Sequence, residues 1–334
     1  LDFGAFNNRL TGSFGYYQRK TYDMVGPAPE LPDVLGTAEP KTNNLDMTTK
    51  GWDLQISWRD VVNDFNYGVS LVLSDSKTII NKYPNPAKEL GKYYDGAVYG
   101  DIWGFETVGI ASSQAEMDAH LAKADQSYCG ANWTAGDIMY ADINGDRVVD
   151  EGEYTADNHG DLKIIGNSTP RYNFGLNFDF AYKGFDLKLF FQGTLKRDYM
   201  AGSATFWGAT GTGKWQALGF TAHSDYWTPE NTDAYYPRPD WGGWRNTWTQ
   251  TRYLQNAAYC RLKNVTLGYT LPSRLTQKIY VQNLRLFVSA ENLLTITKFT
   301  DISDPELIGA GYGGNLGKTY PLSKTVSFGV SVTF

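Results

Sequence analysis

Long hydrophobic runs are missing from this sequence: no stretch of its 334 residues approaches the ~18 consecutive apolar positions that a spanning helix needs. Helical membrane architectures are thereby excluded. Cysteine is scarce, with only Cys129 and Cys260, far apart in the chain, too few for a disulfide scaffold. Two free buried thiols are the expectation, a single bridge the alternative. The three histidines, His120, His159 and His223, stand alone, without an HExxH pair, and no GxSxG turn occurs. Nothing argues for catalysis. The 30 basic residues are spread singly against 36 acidic ones, for a net charge of -6, so no basic stripe is present to bind nucleic acid. Nor does a secretory signal open the chain: Leu1 starts inside an alternating segment, without a basic region or a cleavage site, which reads as a cut through a longer protein.

What the chain does have is alternation. Aromatic residues make up 15% and Gly contributes 35, and the apolar positions recur with a period of two. In the last segment Val326, Phe328, Val330, Val332 and Phe334 point one way, while Thr325, Ser327, Gly329, Ser331 and Thr333 point the other. An oily face opposite a small polar one suits a strand with lipid outside and a wet lumen inside. A soluble sandwich strand offers the same alternation, so the loops must decide. Extended segments are expected over Asp2 to Phe6 and Arg9 to Tyr22, joined by the turn-forming Asn7 and Asn8. Trp52, Leu54, Ile56 and Trp58 then share a face, and after a turn at Asp60 to Asp64 the face repeats at Phe65, Tyr67, Val69, Leu71 and Leu73. Tyr172 to Tyr182 and Phe185 to Phe191, about a Lys183-Gly184 turn, give the clearest hairpin. Tyr259 to Leu271 stops at Pro272, Ser273 to Ile279 suggests one helical turn, and Leu284 to Glu291 and the final strand follow.

About nine strands result, and their connections alternate short and long. The long ones run over residues of about 24–42, 74–169, 200–256 and 297–319. In a meander this puts every short turn at one rim and every long loop at the other, as in outer-membrane barrels with short periplasmic turns and long extracellular loops. A Greek-key sandwich has no reason to sort its loops. The fold expected is therefore all-β: an antiparallel transmembrane β-barrel, partial, over residues 1–334, its C-terminus at the periplasmic side. Nine is odd where bacterial single-chain barrels are even-stranded, which again points to part of a larger barrel.

Several passages resemble the C-terminal half of SusC-like TonB-dependent transporters, the nutrient importers of Bacteroidetes outer membranes. They include PAPELPDVLGTAEPKTNN at Pro27 to Asn44, GWDLQISWRD at Gly51 to Asp60, GDIMYADINGDRVVD at Gly136 to Asp150, and STPRYNFGLNFDFAYKGFDLKLFFQG at Ser168 to Gly193. DYWTPENTDAYYPRP at Asp225 to Pro239, YCRLKNVTLGYTLP at Tyr259 to Pro272 and LRLFVSAENLLTITKFTDISDPE at Leu284 to Glu306 follow in the family's order. The resemblance implies a 22-stranded plugged barrel, with the plug and the TonB-contacting segment outside these residues. It implies outer-membrane localisation and lipid contact, a SusD-like surface lipoprotein over the mouth, and a TonB complex acting through the plug. The lumen-face residues Asp53, Arg59, Asp179, Lys188, Arg285 and Glu291 would then face that plug.

Asp142, Asn144, Asp146, Asp150 and Glu153 occupy positions 1, 3, 5, 9 and 12 of an EF-hand-type loop, with the Val148 carbonyl at position 7. Hard oxygen ligands at that spacing can wrap a structural Ca²⁺, although Arg147 stands where the sharp turn wants Gly. No organic cofactor is expected. Trp207, Trp215, Trp227, Trp241, Trp244 and Trp248 crowd the loop of about 200–256 with Tyr235 and Tyr236. These could stack on a ligand, anchor a partner or pack the loop on itself. GATGTGK at Gly208 to Lys214 lacks the Ser or Thr of a phosphate loop and the βαβ context. The leading function is TonB-energised import of a glycan or peptide nutrient; a passive porin and a soluble glycan-binding protein are the alternatives.

Overall fold

The computed structural model describes residues 1–26, 34, 36, 41–210, 219–309, 319–320 and 322–334. Nine antiparallel strands form one continuous sheet in simple meander order. They are β1 (Asp2–Ala5), β2 (Leu10–Gly26), β3 (Thr42–Val62), β4 (Phe65–Lys82), β5 (Arg171–Tyr182), β6 (Phe185–Lys196), β7 (Tyr259–Thr270), β8 (Asn283–Thr297) and β9 (Thr325–Thr333). The short turns are built from residues that tolerate left-handed backbone. Asn7 and Asn8 have φ 57° and 62°, and Lys183 and Gly184 have 47° and 89°, the twist-matched two-residue hairpin geometry. The β3–β4 turn shrinks to Asn63 and Asp64 rather than Asp60 to Asp64, because the ladder continues to the Val62–Phe65 pair. The helical turn before β8 spans Ser273–Thr276 and continues as a 3₁₀ turn over Gln277–Ile279.

Register carries the main result. Trp58 pairs with Val69, Val69 with Phe178, Phe178 with Leu189, Leu189 with Val265, Val265 with Ala290 and Ala290 with Val326. Residues directly opposed on paired strands share a face, so one apolar row crosses seven strands unbroken. The row beside it, Tyr67, Phe180, Leu187, Leu267, Val288 and Phe328, is equally continuous. Among the described residues nothing covers this face: none of these side chains is buried, and Phe328 is 81% and Val330 63% exposed. Among the described residues no second sheet is stacked on it. Among the described residues no helix is long and apolar enough to cross a membrane.

A small buried cluster joins Leu45 of β3 and Ile80 of β4 to Tyr83, but the larger core lies in the long connections. Phe105, Met117, Ile138, Tyr140, Val149, Phe206, Trp207 and Tyr253 cluster with neighbours from the segments between β4 and β5, β6 and β7, and β8 and β9. The loop expected from Ser74 begins only after Lys82, since β4 runs on. It carries its own helix, Gln114–Leu121, and short strand pairs, Asp101–Phe105 with Leu162–Asn167 and Thr107–Ile110 with Ile138–Tyr140. The proline-rich run at 27–33 and 37–40, and the glycine-rich one at 310–318, lie outside the described residues.

Candidate functional site

Two features can do chemistry or recognition here: the polar face of the wall, and the loop body at its long-loop rim. On the wall, Arg59, Gly68, Asp179 and Lys188 are consecutive register partners across β3 to β6. Gly68 removes one side chain from this row, and a concavity of about 720 Å³ opens there, lined also by Arg9, Asp60 and Asp186. Among the described residues Arg59, Asp179 and Lys188 make no ion pair. Asp53 leans over Gly15 on β2, and Glu291 is opposed by Asn264 and Thr325. Alternation thus places all six expected lumen residues on one face. Arg285 differs in being committed: its guanidinium donates to both Asp186 oxygens at 2.8 and 2.5 Å and lies 4.9 Å from the Phe287 ring centre.

The loop body is stitched across more than a hundred residues of sequence. Asp137, fully buried, accepts from the Thr134 amide (3.0 Å), Asn246 Nδ2 (2.9 Å) and Arg245 Nε (3.2 Å). Gln126, also fully buried, donates to the Ile138 carbonyl (3.0 Å) and accepts from the Tyr140 amide (3.0 Å). Tyr140 donates to the Arg245 carbonyl at 2.7 Å, and Trp248 Nε1 to the Cys129 carbonyl at 2.9 Å. Burial pushes the Tyr140 phenol and the Cys129 thiol up and the His120 imidazole down, so all three stay neutral near pH 7. A clamp ties the body to the barrel rim. Arg261 on β7, wholly inaccessible, donates to Glu306 (2.7 Å), Asp304 (2.5 Å) and Thr295 (2.9 Å). No periodicity in the sequence marks these residues, because each gains its partner only through the tertiary fold.

The aromatic candidates divide. Trp207 and Tyr236 are each 4% exposed, and Trp207 packs edge-on to Tyr253 at 4.7 Å. They hold the core together and cannot meet a ligand or partner, which corrects the reading of both as contact residues. Trp227 is buried as well. Trp241 and Trp244 are 58% and 54% exposed, Tyr235 is partly exposed, and Trp248 bridges Trp244 to the core ring of Phe105. Trp215 and residues 211–214 of the GATGTGK run lie outside the described residues. The cysteines are free, but Cys260 is only half-buried, since it sits on β7 between Gly193 and Ile296.

The acidic loop is folded by its own side chains. The Asp142 carboxylate accepts from the amides of Gly145 (2.6 Å) and Arg147 (2.8 Å), and Asn144 and Asp146 accept from Asp146 and Val148. Arg147 takes the left-handed φ of 71° that Gly would have supplied, at a cost of roughly 1–2 kcal/mol. Glu153 is exposed. The carboxylate that closes the loop is Asp161, fully buried and accepting from Ile143, Asn144 and Asp150; burial raises its pKa. Among the described residues no three His, Cys, Asp or Glu side chains are gathered as a metal cage.

A scan against models of protein families finds no match. Among curated proteins, "TonB-dependent receptor P3" of Formosa agariphila is 30% identical over all of this chain and 33% of its own length. "TonB-dependent receptor SusC" of Bacteroides thetaiotaomicron is 23% identical over all of the chain and 31% of its own length. Among solved structures, that of the RagAB peptide transporter superposes with a TM-score of 0.73 at 26% identity, covering all of this chain and 34% of that one. The chain spans about a third of the length of the curated relatives it matches. By sequence along its full extent and by its partial-barrel fold, the chain belongs with the SusC-like TonB-dependent receptors.

Proposed function

We propose that the chain supplies wall and extracellular loops to an importer of the bacterial outer membrane, energised by TonB through a plug that fills the lumen. The observation that carries this is the uncovered apolar face running in register across the strands, with every long connection at one rim. Lipid is the medium that such a face fits. The charged row Arg59, Asp179 and Lys188 is the wall's contact with the plug, in a barrel of the 22-stranded class. The loop body, with Trp241 and Trp244 outermost, meets a SusD-like lipoprotein over the mouth, and the C-terminus lies at the periplasmic rim. The cargo is a peptide or an oligosaccharide, classes to which the RagAB relative, by name a peptide transporter, lends the first.

Calcium enters this proposal as a ligand of the loop at Asp142, Asn144, Asp146, Val148 and Asp150, adding order to a turn already held by Asp161. Calorimetric titration of the full-length receptor with Ca²⁺, repeated on Asp146→Ala, tests it; no heat in either removes calcium from the account. The import reading is tested by substrate uptake in cells with and without functional TonB. Uptake that persists undiminished without TonB, together with ion conductance in planar bilayers, would identify a passive porin and overturn it.

A further inference from the structure

The outward face carries a charged feature that a lipid belt alone does not explain. Lys50 and Lys77 are direct register partners on β3 and β4. Lys20 on β2 lies diagonal to Lys50, two residues beyond its partner Gln18. Alternation places all three on the face of Tyr16, Trp52 and Leu73. All are exposed, and among the described residues none makes an ion pair. Like charges directly opposed on paired strands repel. The carboxylate closest along the strand, Asp75, is committed to Arg171 through both oxygens and also accepts the Tyr172 amide at 3.3 Å. Asp46, farther up β3, accepts the Asp23 amide at 2.9 Å. At the opposite rim basic side chains do have protein partners, Arg9 with Asp60 at 3.2 Å and Lys183 with Asp64 at 4.0 Å. On the outward face of the described residues, the positive charge left without a counter-charge is at the long-loop rim.

Depth completes the argument. Lys50 stands one pleat beyond Trp52, which with its partner Tyr16 closes the apolar band at that end, roughly 7 Å along the strand. Aromatic belts mark the headgroup level, so the ammonium groups reach lipid phosphates while their stems cover the band's edge. We propose that Lys20, Lys50 and Lys77 form an outward-facing site for the phosphate groups of an outer-leaflet glycolipid. The lipid supplies the counter-charge that no described residue gives them. This site rests on the membrane placement proposed above, and it lies on the opposite face from the lumen and its cargo.

The test uses the full-length receptor in neutral detergent, with native mass spectrometry counting bound lipid. Wild type is compared with Lys20→Gln/Lys50→Gln/Lys77→Gln and with the charge-preserving triple arginine variant. The probes are a bisphosphorylated lipid A, its dephosphorylated form and inorganic phosphate. Wild type and the arginine variant should retain the bisphosphorylated lipid, and the glutamine variant should bind it roughly a hundredfold more weakly, about fivefold per lysine. The dephosphorylated lipid should bind all three proteins alike and weakly. Equal retention by wild type and the glutamine variant overturns the proposal, as does inorganic phosphate displacing the glycolipid, which would leave a simple anion site. Should the triple glutamine variant not fold, Lys50→Gln alone decides by the presence or absence of its fivefold loss. A receptor that remains soluble without detergent would sink the membrane placement instead, a separate outcome.

Discussion

Replacing Leu189 with arginine probes the face on which the assignment depends. Leu189 sits between Phe178 and Val265, two pleats in from Phe185 at the short-turn rim, near the middle of the apolar band. A charged residue on the lipid face costs about 2–4 kcal/mol at the midplane and about 0–1 near the interface. Leu189→Arg should therefore lower the folding equilibrium at least roughly 30-fold, since 1.4 kcal/mol is tenfold. Phe185→Arg loses the ring contact with Tyr269, at 4.5 Å between centroids, worth about 1 kcal/mol, and little more. Asn177→Arg, on the polar face in register with Phe190, should be close to neutral. The assay is urea-titrated folding of the full-length receptor into lipid vesicles, read by heat-modifiable gel mobility. A face packed against protein would penalise arginine equally at every row. Equal costs at Leu189 and Phe185, or none at Leu189, would refute lipid contact.

Three further outcomes follow from the geometry. Asp137→Ala strands the Asn246 amide and takes one carboxylate partner from Arg245, which keeps Asp240 at 2.8 Å; breaking a buried pair costs about 3–5 kcal/mol, so protection from hydrogen exchange should fall over 126–140 and 238–250 while the barrel keeps its gel mobility. The Tyr128 phenol, donating to Glu151 at 2.8 Å, is held up to about 12 chiefly by that bond. Its raised pKa means stability present below the unfolded value near 10 and lost as pH climbs toward 12; an alkaline transition of the loop body in that window, absent in Tyr128→Phe, is the check. Gly193→Ala should impair folding more than Gly329→Ala in the same vesicle assay, because a methyl at 193 meets the Tyr259 backbone carbonyl whereas one at 329 meets only the Phe287 ring.

The wall was legible in the sequence because alternation is a local signal, and each oily position announces its own face. The upper halves of β3 and β4 were not. Thr48, Thr49 and Lys50 against Ile79, Thr78 and Lys77 carry no apolar alternation, so the local signal stops where the lipid band ends, not where the ladder does. The loop core was illegible for a different reason. Asp137, Gln126 and Gln250 look like ordinary loop residues until Asn246 and Tyr140 are brought to them. Residue type also could not separate Trp207 from Trp241, since the same indole serves a core and a surface. The acidic loop shows both effects: the spacing of Asp142, Asn144 and Asp146 is a local signal, but Asp161, its buried closing carboxylate, lies too far along the chain for any motif to include.

A strand pair as long as β2 and β3 faces a problem of register, because a slip of one residue would turn every apolar side chain to the polar face. Paired glycine and aromatic residues answer it. Phe3 opposes Gly12, Tyr17 opposes Gly51, Phe174 opposes Gly193 and Phe287 opposes Gly329, and in each the ring occupies the space that a Cβ on the glycine would need. A ring can lie flat only over a residue without a side chain, so a slipped ladder would set each ring against a Cβ and lose its cover. Aromatic cover of strand glycines is a known means of fixing register. These pairs alternate between the lipid face, at Gly12 and Gly193, and the lumen face, at Gly51 and Gly329. Register is thus pinned from both sides of the wall, which lets the charged row of the lumen and the lysines of the outer rim hold their depth without a tight turn at the long-loop end.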